Sequence, residues 1–319
     1  MSGYIARRLL GAVPLLFIVT LLSYALMGLS PGGPAAILGQ QAHGLTPAGR
    51  QHFIALLGLD KPWYVQYFYW LGTLLFHGSL GYSFVDGRPV IAKILEKLPV
   101  TLELLSLALL TTLAVAIPIG VYAGTHRNSW FDYLSTAFGF VAYGIPIFWL
   151  GIVLVDVFAV HLRWLPASGA ASLGGEHDIG DRLRHLVLPV ATLTIVSFAS
   201  WMRYQRAAMI EVMSAPYVRT ARAKGLPERL VVYRHALRNA LIPTVTLLGL
   251  SLPGLVGGAY FIEYVFSLPG MGFLGINSVF SRDYPTVMGI TLLSAIMVVA
   301  GNLLADIAYA AVDPRITYD

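Results

Sequence analysis

The chain has 319 residues, 57% of them hydrophobic and only 12% charged, with a formal net charge of +5 and no cysteine. Soluble domains carry about a quarter charged residues, so this composition is that of a membrane protein, and the lack of cysteine excludes disulfides, thiolate zinc sites and iron–sulfur ligation by this chain. The positive balance is explained by membrane topology and anionic lipid, and it calls for no nucleic acid as partner.

Apolar segments at 9–29, 102–124, 136–160, 186–202, 240–266 and 286–312 are each of a length that can cross a hydrocarbon core as a helix. The expected fold is an all-α integral membrane protein of about six transmembrane helices. Residues 1–30 read as a cytoplasmic tail with the first span, 31–97 as an external segment with interfacial helices, 98–313 as the transmembrane core and 314–319 as a second cytoplasmic tail. Arg7 and Arg8 precede a run, Leu9 to Leu29, that exceeds the core of a secretory signal.

The external segment opens on the helix-breaking Ser30-Pro-Gly-Gly-Pro34. Thr46-Pro47 then supplies an N-cap and an N1 proline for a short helix that Gly58 closes. The stretch Trp63–Phe76 is rich in aromatic residues and short for a span, which suits a helix at the headgroup level; a true span here is the competing candidate and would throw the later basic loop to the outside. Gly81-Tyr-Ser-Phe-Val-Asp-Gly-Arg-Pro89 is turn-rich. This external cap separates the first and second spans.

Later spans contain helix weakeners. Gly144 and Pro146 in the third, and Pro253 and Gly254 in the fifth, are candidates for gate flexibility, because proline removes a backbone hydrogen bond and glycine relaxes the helix. Small-residue packing is the plainer use, and Gly254 with Gly258 forms a GxxxG pair. The fourth span is short, so neighbouring polar residues are needed to complete it.

With six spans and an internal N-terminus, Arg7, Arg8, Arg127, Arg315 and the eight basic residues of 203–239 lie inside, leaving nine of the 21 Lys and Arg outside over about twice as many positions. That is the bias of the positive-inside rule. Both termini are expected to be cytoplasmic.

Enzymatic signatures are missing. None of the lysines, Lys61, Lys93, Lys97 and Lys224, follows a glycine, so no phosphate loop of the Walker type exists. There is no HExxH, and Ser168-Gly169 lacks a partnered base. His161, His177 and His185 are scattered along one external loop and read as solvated. Among the acids of the spans, Glu103, Asp156 and Glu263 are expected at interfaces in reach of water, and Asp306 with Asn302 as an interior hydrogen-bonding pair.

The basic stretch 203–239 carries eight Lys and Arg and two acids. Ser214 offers an N-cap, Pro216 stands in the opening turn, and Gly225 followed by Pro227 enforces a stop, which defines a helix of about nine residues. Such a helix is marginal alone in water. Val218, Ala221 and Gly225 are expected to form an exposed small-residue seam flanked by Arg219, Arg222 and Lys224, held by a neighbouring surface.

Tyr217-Val-Arg-Thr-Ala-Arg-Ala-Lys-Gly-Leu226, continuing to His235-Ala-Leu-Arg-Asn-Ala-Leu-Ile-Pro243, resembles the cytoplasmic "EAA" loop of ABC-importer permeases of the dipeptide/oligopeptide branch. Tyr4-Ile-Ala-Arg-Arg-Leu-Leu, Ser30-Pro-Gly-Gly-Pro-Ala, Leu57-Gly-Leu-Asp-Lys-Pro62, Gly78-Ser-Leu-Gly-Tyr-Ser83, Leu268-Pro-Gly-Met-Gly272, Arg282-Asp-Tyr-Pro285 and Asp313-Pro-Arg-Ile316 resemble the first permease of that pair. Against the general EAA pattern the acidic position is Arg219, the alanine Ala221 and the glycine Gly225, and the terminal proline position is Arg238.

The resemblance implies a type I ABC importer permease fold in a prokaryotic inner membrane. It implies a second, similar permease, two cytoplasmic ABC ATPases that bind ATP and Mg, an external substrate-binding protein and surrounding lipid, with no cofactor on this chain. A coupling helix at about 215–226 would touch the ATPase through Tyr217, Val218, Arg219, Ala221, Arg222, Lys224, Gly225 and Leu226. Peptide is the implied cargo, and relatives in the branch also move nickel or glutathione. The rival class is an ATPase-independent channel or ion-coupled transporter, for which inverted repeats would speak; the sequence has none.

Overall fold

The computed structural model describes residues 2–29, 54, 58–175 and 178–312, excluding the side chains of 2–6, 245–246, 249–258 and 304–312. The described residues are helical: α1 (Ser2–Gly28), α2 (Trp63–His77), α3 (Val90–Thr125), α4 (Trp130–Gly144), α5 (Ile147–Val155), α6 (Ile179–Met213), α7 (Pro216–Ala223), α8 (Glu228–Leu230), α9 (Leu237–Ala240), α10 (Ile242–Val265), α11 (Met271–Phe280) and α12 (Tyr284–Val312). Two π-helical turns, Asp156–His161 and Val231–Ala236, interrupt this series. The extended backbone pairing among described residues is a single bridge between Tyr82 and Pro89.

Among the described residues, four helices are long and apolar enough to cross a membrane, or five when the pair Trp130–Gly144 and Ile147–His161, bent by 101°, is one span. The expected third span is therefore broken. Ile145 is extended at φ −83° and ψ 127°, and Pro146, which has no N–H to donate, caps the next helix. The expected fifth span falls on α10, where Pro253 and Gly254 lie outside the described side chains.

The fourth span is completed in the direction the short apolar run required. Asp178 accepts a hydrogen bond from the Gly180 N–H and starts α6 well before the apolar core, giving a helix of 35 residues. α3 likewise begins at Val90, twelve residues before the apolar window, and carries Lys93, Glu96 and Lys97 on its first turns. Ser30–Pro34 and Thr46-Pro47 lie outside the described residues. Gly58 does adopt φ +66°, and the Leu59 N–H reaches the Ile54 carbonyl at 3.0 Å, the bond of a helix-ending left-handed turn.

The chain forms two compact units, one of Met1–Pro99, Gly270–Ala300 and Tyr318–Asp319, the other of Val100–Pro269 and Gly301–Thr317. In the first, α2 packs along α1. Tyr67 is fully buried against Phe17 and Tyr24, and its hydroxyl lies 3.1 Å from Thr20 Oγ1. Tyr67 and Trp70 thus serve the protein core, and only the other face, with Tyr64, Phe68, Tyr69 and Phe76, is exposed as a headgroup-level helix requires.

In the second unit α6 is the central element and packs against α4, α5 and α10. Leu104, Ala108, Leu186, Leu188, Leu193, Ile262, Phe266 and Leu268 form its apolar core. Buried within the same unit, Asp132 accepts from Arg206 Nε at 2.5 Å and Nη2 at 2.7 Å, a two-pronged pair that fastens α4 to α6.

The acids divide differently from expectation. Glu263 is fully buried and accepts a 2.6 Å hydrogen bond from Thr101, because helix packing in this unit closes over the end of α10. Glu103 pairs with Arg182, and Asp156 remains exposed beside His161. Asp306 lies outside the described side chains.

Candidate coupling site

Chain direction changes abruptly at the end of α6. Ser214 terminates that helix, its hydroxyl donating to the Glu211 carbonyl at 2.6 Å, so it is not free to cap the next one. The N-cap of α7 is Ala215, with no side-chain hydrogen bond, and Pro216 occupies the opening position, where the missing N–H costs nothing. The expected serine cap is thereby corrected to a proline start.

α7 spans eight residues and ends as the glycine signal requires. Gly225 takes φ +76°, its N–H donates to the Arg222 carbonyl at 2.9 Å, and the Leu226 N–H reaches the Ala221 carbonyl at 3.4 Å. Behind this turn, Arg222 grips Glu228 through Nε at 3.0 Å and Nη2 at 2.5 Å. The paired hydrogen bonds hold the Glu228 carboxyl below its usual range and raise the Arg222 guanidinium, although both groups are largely open to water.

The seam points inward. Val218 is fully buried and Ala221 is 6% exposed; one turn apart, they share the helix face that packs on Val121, Met209, Val231, Ala236 and Ala240. An exposed apolar seam was expected because a short helix in a basic loop has no visible partner in sequence. Its partner is this chain. Burying a valine side chain is worth roughly 1.5–3 kcal/mol, which offsets the poor intrinsic stability of two helical turns.

What faces outward is polar. Tyr217, Arg219, Arg222, Lys224 and Gly225 are exposed, while Leu226 is half-buried. Tyr217 Oη accepts from Asn239 Nδ2 at 2.9 Å, tying the start of α7 to α9. Arg222 is engaged by Glu228, and among the described residues Arg219 and Lys224 make no ion pair. Next to them Pro227, Arg229, Leu230, Tyr233 and Arg234 line an open, shallow groove. The π turn at Val231–Ala236 shifts the helical register there and sets these side chains together, a rearrangement no regular periodicity discloses.

A platform of close-packed helices carries α7. A methyl group on Gly120 would stand 2.8 Å from the Met202 carbonyl oxygen, and one on Gly124 would stand 2.6 Å from Met209 Cβ and 2.9 Å from the Arg206 carbonyl oxygen. These glycines let α3 and α6 touch backbone to backbone. Gly120-Val-Tyr-Ala-Gly124 is thus a GxxxG motif that serves as a helix contact. Gly144 has open space around it, consistent with its place at the helix break.

Residues 116–318 match the family described as the inner membrane component of binding-protein-dependent transport systems, and residues 1–105 match the N-terminal region of such membrane components. The chain belongs to this family. It is a multi-pass membrane permease of an ABC importer, a transport subunit and not an enzyme. Its relatives include the oligopeptide transport system permease protein AppB of Bacillus subtilis (strain 168), 42% identical over 319 residues and covering 100% of both chains. The dipeptide transport system permease protein DppB of Escherichia coli (strain K12) is 36% identical over 339 residues, covering 100% of this chain and 99% of its own.

Among solved structures, an inward-facing conformation of the MetNI methionine ABC transporter superposes with a TM-score of 0.58 at 19% identity, covering 70% of this chain and 97% of that chain. A likeness at that identity is one of fold, and it makes the permease fold that of a type I importer. No cluster of three or more His, Asp or Glu suited to a metal ion occurs among the described residues.

Proposed function

We propose that this permease forms one half of a translocation pathway for peptides, together with a second permease, two cytoplasmic ATPases and an external substrate-binding protein. Both termini then face the cytoplasm, and α7 projects from the inner side as the element that receives the stroke of ATP hydrolysis. The peptide reading is supported by full-length similarity to an oligopeptide and a dipeptide permease.

The observation that carries the coupling reading is the two-sidedness of α7. Its inner face is sewn into the chain through Val218 and Ala221, whereas Arg219 and Lys224 face out without ion pairs among the described residues. A helix so mounted moves as one body with the ends of α3 and α6. A push on its polar side is therefore passed to the membrane helices, and two states of the ATPase pair bias two states of the pathway. Gly144, Pro146, Pro253 and Gly254 are the positions at which helices would yield.

Charge reversal on the outer face tests this. Arg219→Glu combined with Lys224→Glu leaves the buried face intact, so the permease should still be recovered in the membrane while co-purification of the ATPases and uptake of a labelled peptide both fall. Unchanged ATPase recovery together with unchanged uptake would count against α7 as the contact.

A further inference from the structure

The turn-rich segment after α2 forms a small hairpin, and neither the coupling site nor the fold accounts for how it is built. Tyr82 bridges Pro89, the Ser83 N–H donates to the Arg88 carbonyl at 2.9 Å and the Gly87 N–H to the Ser83 carbonyl at 3.0 Å, with Gly81 at φ +87° and Gly87 at φ +69° shaping the two ends. Its base is fixed by buried charge. Asp283, 1% exposed at the start of α12, accepts from Ser83 Oγ at 2.5 Å, the Phe84 N–H at 2.8 Å and Thr286 Oγ1 at 2.7 Å. Lys93, on the first turns of α3, reaches Ser83 Oγ at 2.9 Å, Asp283 Oδ2 at 3.5 Å and Asp86 Oδ2 at 3.0 Å.

One carboxylate thus joins the hairpin to α12, and one ammonium joins it to α3. Buried polar networks with every member satisfied are rigid. The junction is also tight: a methyl on Gly289 would lie 2.5 Å from Val90 Cγ1 and 3.2 Å from Ile94 Cδ1, so α12 meets the start of α3 at glycine distance. A force on the hairpin is passed to two long helices.

The hairpin also has something to hold. It exposes Tyr82 at 63% on the strand that bridges Pro89, and Val85 at 43% in the turn. Behind it lies a cavity of about 770 Å³ walled by Tyr24, Val65, Tyr69, Trp70, Phe84 and Tyr284. That volume falls in the range of pockets that accept a ligand or a pair of side chains, and the aromatic wall is of the kind that anchors protein interfaces.

We propose that the hairpin at 82–89 and the aromatic cavity behind it are the docking site for the external substrate-binding protein, and that Ser83, Lys93 and Asp283 transmit docking to α3 and α12. This rests on the importer reading and on the external placement of the segment before the second span. The partner follows from the family itself, whose transport depends on a binding protein, and its contact is expected to insert apolar or aromatic side chains beside Tyr82 and Val85.

The chain contains no cysteine, which makes a single-cysteine test clean. In the assembled transporter reconstituted with its purified binding protein, Val85→Cys bearing a short thiol-reactive crosslinker should capture that protein. Tyr82→Glu with Val85→Glu, both at exposed positions that folding tolerates, should raise the binding-protein concentration for half-maximal ATPase stimulation about tenfold, the equivalent of losing one good contact. Asp283→Asn should lower the maximal stimulation, and Asp283→Glu should restore more of it than Asn does. A wild-type complex that is stimulated normally, beside a double-glutamate variant with the same half-maximal concentration and no crosslink at position 85, overturns the inference alone. A wild-type complex that no binding protein stimulates overturns the importer reading and takes the inference with it.

Discussion

Gly225 is the position where backbone geometry and partner contact can be separated. It sits at φ +76°, and an added Cβ would meet nothing within 4 Å. Substitution therefore brings no internal clash, and within the permease the whole cost is the left-handed conformation, about 1–2 kcal/mol for an ordinary residue and less for asparagine, which tolerates that region. β-branched valine belongs at the upper end of that range or above it. A loss of 1–2 kcal/mol shifts the docked-to-frayed ratio of α7 by a factor of about 5–30, enough to uncouple an eight-residue helix.

The expected order of α7 integrity is therefore Gly225, then Gly225→Asn close behind, then Gly225→Ala, then Gly225→Val. Hydrogen exchange of the amides of residues 217–223 in the reconstituted complex reads that order, and the ratio of peptide transported to ATP hydrolysed should follow it. If side-chain bulk against the partner decided the outcome, asparagine would be worse than alanine. Finding alanine at wild-type protection, with asparagine impaired, would refute the backbone argument.

Val218→Asp should be the most damaging single change in the coupling region, because it places a carboxylate among Val121, Met209 and Val231, at a cost of several kcal/mol; α7 should become protease-sensitive while the rest of the permease stays in the membrane. Gly124→Leu should lower the thermal stability of the second unit by about 3 kcal/mol or more, since Met209 Cβ and the Arg206 carbonyl leave no room, and a melting shift much smaller than the 1–3 kcal/mol usual for overpacking would contradict the contact. The Arg222–Glu228 pair holds the Glu228 carboxyl below its ordinary value, so its contribution is present above that ordinary value and is lost as pH falls through the lowered one. Being exposed, the pair is worth under about 1 kcal/mol; Glu228→Gln should remove this acid-side dependence from exchange at 222–226 and leave the neutral-pH fold intact.

Composition and hydropathy alone made the membrane class, most of the spans and the short helix in the basic loop readable, because each is written in local periodicity and punctuation. Pro216, Gly225 and Pro227 placed α7 to within a residue or two. What escaped is what depends on the third dimension. Val218 and Ala221 look exposed until Val231, Ala236 and Ala240 fold back over them through a π turn. Ser83 and Asp283 are 200 positions apart, and each in sequence is an ordinary turn residue. Gly120 and Gly124 read as two more small residues in an apolar run, and only the approach of the α6 backbone shows why nothing larger fits.

The central claim is that α7 is an inward-facing rod in contact with an ATPase, and Lys224→Cys in the cysteine-free chain tests it most directly. In sealed vesicles of the assembled transporter, residue 224 should be labelled by an impermeant thiol reagent only from the side that carries the ATPases, and a short crosslinker there should join the permease to an ATPase with a yield that changes when nucleotide is added. Labelling from the opposite side, or no crosslink to any ATPase in an assembly that hydrolyses ATP, would contradict the account.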